Sequence, residues 1–194
     1  MAAPDRHPAD LLLSGAGTDI DVLIGWTREE ANCAFALSEP YAGTTREQVL
    51  ARARAAFGSR AAEACTAYEE ARPGARPLDV LMDLITDELF RMPGVALAER
   101  RAARGRPVWA YRFNLPTPAH DGRLGAAHCL ELPFVFDNFD KWSRAPFLAG
   151  LAPGCVTVSP RPCTRPGSPS SAPATPTTGP CRGGTATAGT PARR

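Results

Sequence analysis

Two short stretches of strand character bracket a long run of helical periodicity in this chain. Residues 1 to 20 are mostly small, polar and glycine-containing, and Asp21 to Gly25 then form a brief apolar run that ends at a glycine, the pattern of a buried strand. Glu29 and Glu30 follow at the start of a segment whose Ala31, Ala34, Phe35 and Leu37 predict a helix closed by Pro40. Thr44-Thr45-Arg46-Glu47 supplies a capping signal for a helix in which Val49, Leu50, Ala53 and Phe57 recur at helical spacing, and Ser59 opens another running to about Arg72. Pro77 suits a first helical turn, and Leu78, Leu81, Met82, Ile85 and Leu89 fall on one face of the helix it begins. Val80, Leu84 and Phe90 add apolar surface elsewhere, so that helix is expected to be buried on more than one side, with Pro93-Gly94 breaking it. A further helix from Val95 to Arg104 is closed by Gly105, after which Pro107 to Phe113 alternates as a strand does. The loop Pro116 to Gly122 leads into a small-residue turn carrying His128, directly ahead of the apolar run Leu130 to Phe136.

Strand, acid, several helices, strand, histidine is the order that results. It predicts an α/β fold with few parallel strands and intervening helices, and in such sheets functional groups gather on loops beyond the carboxyl ends of strands. The acidic pair after the first strand and the histidine after the second both occupy that kind of position.

With 194 residues, 44% of them apolar, the chain can bury the core of one ordinary domain, here expected over residues 1–155. From about Val156 the composition collapses to Pro, Ser, Thr, Ala, Gly and Arg, which predicts a disordered tail over 156–194. Out-of-frame reading of GC-rich codons produces the same residue types and is the alternative origin for that tail. The net charge of +2 is uneven: the tail holds five arginines and no acid, leaving 17 basic against 20 acidic residues before it. Those arginines are dispersed and lack aromatic neighbours for stacking, so no nucleic-acid partner is expected. No apolar run approaches the ~20 residues of a bilayer-spanning helix, and Leu11-Leu12-Leu13 is too short for a signal-peptide core. The expectation is a cytoplasmic chain with no membrane partner. Six cysteines show neither Cys-x-x-Cys nor mixed His/Cys spacing, so free thiols are expected and no metal or other cofactor.

His128 has the chemistry of a general base, since an imidazole titrates near neutrality and can both take and return a proton. Acyl transfer would need, besides it, a nucleophile and a carboxylate to fix the tautomer. No Gly-x-Ser-x-Gly elbow occurs anywhere, and the pair Gly183-Gly184 lies in the tail, far from any position ahead of the acidic segment. The lone histidines His7 and His120, in polar proline-containing loops, read as solvated, and Trp26, Trp109 and Trp142 as packing.

Val22 to Ala31, the strand Pro107-Val108-Trp109-Ala110-Tyr111-Arg112-Phe113 and Gly125-Ala126-Ala127-His128 with its Leu132-Pro133-Phe134-Val135-Phe136 run together resemble the C-terminal portion of the type B carboxylesterases, the cholinesterase and para-nitrobenzyl esterase-like family of α/β-hydrolases. The resemblance covers roughly residues 10 to 155. It implies that Glu30 is the acid and His128 the base of a Ser-Glu-His triad, with Glu29 replacing the usual Asp, Ala31 the usual Gly, and Cys129 the usual Gly after the histidine. It also implies a small-molecule carboxylic ester as substrate and an N-terminal half, bearing serine and oxyanion hole, that this chain does not encode. On that basis the chain alone is expected to be inactive, with exposed strand edges and marginal stability. The alternative is a non-catalytic fragment or association module of the same family.

Overall fold

Strand β1, Val22–Thr27, runs parallel to β2, Val108–Phe113, in a register that pairs Val22 with Val108 and Thr27 with Phe113. Parallel neighbours require a crossover, and here the helices between the strands provide it. These coordinates are a computed structural model that describes residues 7–35, 37–151 and 161–162. Strand β3, Arg161–Pro162, pairs antiparallel with β2 at Ala110 and Trp109, giving the strand order β1, β2, β3 with β1 at one edge of the described sheet. The expectations for the rest of the 156–194 tail, including its reading frame, lie outside the described residues.

Eight α-helices are described: α1 Pro8–Ser14, α2 Asn32–Phe35, α3 Glu39–Ala42, α4 Arg46–Phe57, α5 Ala61–Ala71, α6 Pro77–Thr86, α7 Met92–Ala103 and α8 Leu132–Val135. Local chemistry explains their starts. The Thr45 hydroxyl accepts the Gln48 amide at 3.3 Å while the Gln48 side chain accepts the Thr45 amide at 2.9 Å, a reciprocal cap on α4. Pro77 opens α6, and Asp79 accepts the Arg76 amide at 3.1 Å. Helices α4, α5 and α6 enclose one core around Val49, Ala53, Cys65, Leu78, Met82 and Leu84. Burial of a side chain the size of Met82 or Leu84, each 1% exposed, stabilises the fold by about 1.5–3 kcal/mol. A second, aromatic core gathers Phe113, Leu130 and Leu148 with Phe134, Phe139 and Trp142 under the carboxyl end of β2.

Four elements differ from the sequence reading. The N-terminal segment contains α1, capped by the His7 imidazole, which accepts the Ala9 amide at 3.2 Å, and ended by Gly15 at φ +115°. Arg101, only 3% exposed, anchors that segment by donating to the Gly17 carbonyl at 3.0 Å and to the Ile20 carbonyl. β1 continues two residues past Gly25 instead of ending there. Gly25 is an interior strand residue because the Tyr111 ring of β2 lies over it, 2.1 Å from where a Cβ would stand. The helix expected from Glu29 shrinks to the single turn α2, since Glu29 and Glu30 are held by partners outside it. Finally, Pro93-Gly94 does not break the long helix: residues Asp87–Arg91 widen into a π turn that joins α6 to α7. A proline in a regular helix clashes with the carbonyl four residues back, and the wider turn ahead of Pro93 relieves that crowding.

Ile20, Leu23, Leu89, Met92 and Phe136 are each more than half exposed. Between α1, β1 and α7 lies an apolar groove of about 330 Å³ lined by Leu12, Ile24, Trp26, Phe90, Pro93 and Leu97. The Trp26 indole nitrogen is buried with no hydrogen-bond partner among the described residues. No helix among the described residues is long and apolar enough to cross a membrane.

Gly25→Ala is expected to lower stability by about 1–3 kcal/mol in urea unfolding, because the added methyl collides with a ring seated in the core. Gly43→Ala, whose new methyl meets nothing within 4 Å, should stay within about 0.5 kcal/mol of the parent. Equal losses in the two variants would contradict the close-approach account of Gly25.

Candidate active site

The parallel pairing does not stop where the strands do. The Arg28 amide donates to the Phe113 carbonyl at 2.9 Å, the Glu29 amide donates to the Ala126 carbonyl at 3.0 Å, and Glu29 forms a parallel bridge with Ala127. The turn carrying His128 is thereby stitched to the segment carrying Glu30.

Side chains complete the attachment. Glu29 is 7% exposed; its Oε2 accepts the Ala126 amide at 2.7 Å, and its Oε1 pairs with Arg28. Gly125 must be glycine on two grounds. Its φ of +61° is left-handed, and a Cβ there would stand 2.6 Å from Glu29 Oε2. Glu30, 4% exposed, accepts the Thr27 amide on Oε1 at 2.7 Å and faces His128 Nδ1 with Oε2 at 2.6 Å. An isolated buried carboxylate would cost several kcal/mol. Two donors at short range, one to each oxygen, offset that cost.

His128 itself has a half-exposed side chain. A carboxylate can only accept, so Nδ1 carries the proton toward Glu30 and the lone pair belongs to Nε2. Such an imidazole can take a proton at Nε2, and the resulting cation is stabilised by the carboxylate behind it. Phe90 lies against the ring, its centroid 5.4 Å away and its plane inclined by 48°. Cys129 adopts φ +67°, a left-handed conformation in which a Cβ costs about 1 kcal/mol and glycine nothing. Among the described residues no hydroxyl or thiol hydrogen-bonds to the His128 ring, and no group of His, Cys, Asp and Glu could hold a metal ion.

Burial raises the Glu131 carboxyl above the ordinary glutamate range, and the Glu30 charge adds to the effect, while its own backbone and His128 oppose it. Burial likewise pushes up the Cys33 and Cys129 thiols. Cys33, Cys65 and Cys129 are free, and the other three cysteines lie outside the described residues. A separate cleft of about 700 Å³ borders Glu29, but its Arg28, Arg72 and Arg91 each pair with an acid of the same cleft, Glu29, Asp83 or Asp87, leaving no net charge to attract a ligand.

Glu30 and His128, the two residues singled out by the sequence, are in direct contact. His7 and His120 are exposed, the former as a helix cap. Four further residues shape the site: Glu29 of the acidic pair, which grips the turn; Gly125 of the histidine motif, which makes room for that grip; and Thr86 and Phe90 on the helical crossover, which the sequence reading gave no place in the site. Positive φ at Gly125 has a visible signal in the glycine itself, whereas Thr86 has none.

Comparison with known proteins places these elements in context. The profile of the Carboxylesterase family matches residues 3–141. The chain is 41% identical over 151 residues to phenmedipham hydrolase of Pseudarthrobacter oxydans, which covers 78% of this chain and 29% of that protein. It is 34% identical over 139 residues to para-nitrobenzyl esterase of Bacillus subtilis, covering 72% and 27%. Among solved structures it resembles the Geobacillus stearothermophilus carboxylesterase EST55 with TM-score 0.56 and 34% identity, over 69% of this chain and 27% of that one. A para-nitrobenzyl esterase structure aligns with TM-score 0.55 and 32% identity, over 72% and 27%. The chain thus spans between 27% and 29% of the length of these relatives.

The raised Glu131 carboxyl carries a pH dependence. Ionising it is harder in the folded chain than in the unfolded one, where the pKa is about 4.3. Its contribution is therefore most favourable below that value and is lost as pH rises through the folded value. Glu131→Gln is expected to be more stable than the parent at pH 7 and to lose the advantage below about pH 4. Urea unfolding at the two pH values checks this, and a variant no more stable at pH 7 would contradict it.

Proposed function

Since the chain belongs to the carboxylesterase family, we propose that Glu30 and His128 are the acid and base of a Ser-Glu-His triad that hydrolyses a carboxylic ester. The observation that carries this reading is the 2.6 Å contact between His128 Nδ1 and the buried Glu30 carboxylate. His128 Nε2 takes the proton of the attacking serine hydroxyl, then returns it to the departing alcohol. A water molecule repeats the sequence on the acyl-enzyme, with the same nitrogen as base and then acid. Glu30 holds the tautomer and stabilises the imidazolium in both halves of the cycle. Neither a cofactor, a nucleic acid nor a membrane enters the scheme.

Serine and oxyanion donors are not in this sequence as a Gly-x-Ser-x-Gly elbow or a Gly-Gly run ahead of the acid. We assign them to polypeptide beyond these residues, corresponding to the larger part of the relatives that the chain does not match. The open edge of β1, with Leu23 more than half exposed, and the half-exposed His128 are where that polypeptide would meet this one. An unpaired edge and an uncovered apolar face call for further sheet. The association-module alternative gives no reason for a buried carboxylate aimed at an imidazole.

Alone, the purified chain is expected to turn over p-nitrophenyl esters no faster than buffer, since one oxyanion donor by itself is worth ~10²–10³ in rate. Co-expressed with the serine-bearing portion of a family member, it should yield activity that Glu30→Gln lowers by about 10⁴ and His128→Ala reduces to background. Turnover by the chain alone that His128→Ala abolishes would overturn the division of labour. An active assembly indifferent to both substitutions would overturn the triad assignment.

A further inference from the structure

Glu30 and His128 are touched from a third direction by the crossover helix. Thr86, the last residue of α6, is 2% exposed, and its Oγ1 accepts the Ala31 amide at 3.1 Å, the peptide that directly follows Glu30. Phe90 lies four residues further on, within the π turn Asp87–Arg91, and its ring packs on His128 at 5.4 Å. Residues four apart on a helical segment are neighbours on its surface. One stripe of one element therefore reaches both members of the pair, the acid through the backbone beside it and the base through its ring.

That stripe is itself held. The Tyr68 hydroxyl on α5 donates to Asp87 Oδ2 at 2.6 Å, Asp87 pairs with Arg91, and Arg52 on α4 pairs with Glu88 at 2.5 Å. Asp87 is 6% exposed. Burial and the Asp87 carboxylate push the Tyr68 phenol above its ordinary value, so it stays a donor through the physiological range. A π turn in the middle of a long helix is an irregularity that an uninterrupted helix would avoid, and such turns recur at functional sites. Here it is clamped by two other helices at the place where Phe90 meets the imidazole.

We infer that Thr86 and Phe90 are positioning residues that set the separation and ring plane of the Glu30–His128 pair. The inference rests on the reading of that pair as a triad acid and base. Removing the Thr86 hydroxyl leaves the Ala31 amide buried without an acceptor, so the 27–31 turn relaxes and takes the Glu30 carboxylate with it. Removing the Phe90 ring frees one face of the imidazole to rotate about its side-chain bonds.

Proton NMR of the full chain tests this without requiring turnover. A hydrogen-bonded Nδ1 proton of His128 should resonate far downfield and vanish in His128→Ala. It is expected to persist in Thr86→Ser, which keeps the acceptor, and to exchange with solvent at least about tenfold faster in Thr86→Val and in Phe90→Leu. Amides in the middle of α6 should meanwhile keep their parental exchange, which separates positioning from general loosening. Parental exchange of the Nδ1 proton in both Thr86→Val and Phe90→Leu would overturn the positioning role and leave the pair intact. Absence of any such resonance in the parent chain would overturn the pair itself. Should Thr86→Val fail to fold, Phe90→Leu decides the matter alone.

Discussion

Two consecutive buried carboxylates at the end of β1 hold the site together. Glu29 and Glu30 are neighbours in the turn that follows β1, yet their side chains reach different partners. Glu29 takes the Ala126 amide at 2.7 Å, and Glu30 takes the Thr27 amide and His128 Nδ1 at 2.7 and 2.6 Å. Each charge costs free energy to bury and recovers it only if every donor arrives, so the strand end, the turn and the imidazole must fold in one arrangement. Gly125 at φ +61° is the concession the backbone makes to that arrangement.

The rest of the fold serves to bring the two chain segments to one place. In-register pairing of β1 with β2 brings Thr27 level with Phe113, and the ladder then runs on through Arg28 and Glu29 into residues 126 and 127. The crossover contributes twice, as the core of α4, α5 and α6 and as the stripe from Thr86 to Phe90 that leans on the pair. What the fold leaves open is the other side. β1 has no neighbour beyond it in the described sheet, and the apolar groove beside Trp26 faces outward. Carboxylesterase relatives are more than three times as long as the stretch matched here, and the unfilled edge is on the side where additional sheet would fit.

Local rules made most elements legible from sequence. The proline that opens α6 and the alternation of Val108 to Phe113 each act over a few residues and lie where expected, and the cap signalled in Thr44 to Glu47 falls on Thr45, with Gln48 as its reciprocal partner. Errors arose where a distant contact overrode a local preference. Gly25 looks like a strand terminator until Tyr111 covers it, and Pro93 looks like a helix breaker until a π turn widens the helix ahead of it. Glu29 and Glu30 look like the acids of a helix start, yet partners almost a hundred residues away hold them, Ala126 for the first and His128 for the second. The meeting of Glu30 with His128 was not legible in composition or periodicity. It followed from the resemblance of two motifs, because the information that joins them resides in sheet register. Thr86 was illegible by either route, being one more polar residue near the end of an apolar helix.

Hydrogen exchange at individual amides of the full chain tests the central claim most directly. If buried carboxylates hold this site, the Ala126 and Thr27 amides are protected to the level of the β2 amides although both lie at or beyond strand ends, and Glu29→Ala, which removes the acceptor, releases Ala126 while leaving mid-β2 amides unchanged. Ala126 exchanging in the parent chain as fast as the amide of exposed Gly74, which has no acceptor among the described residues, would contradict the account.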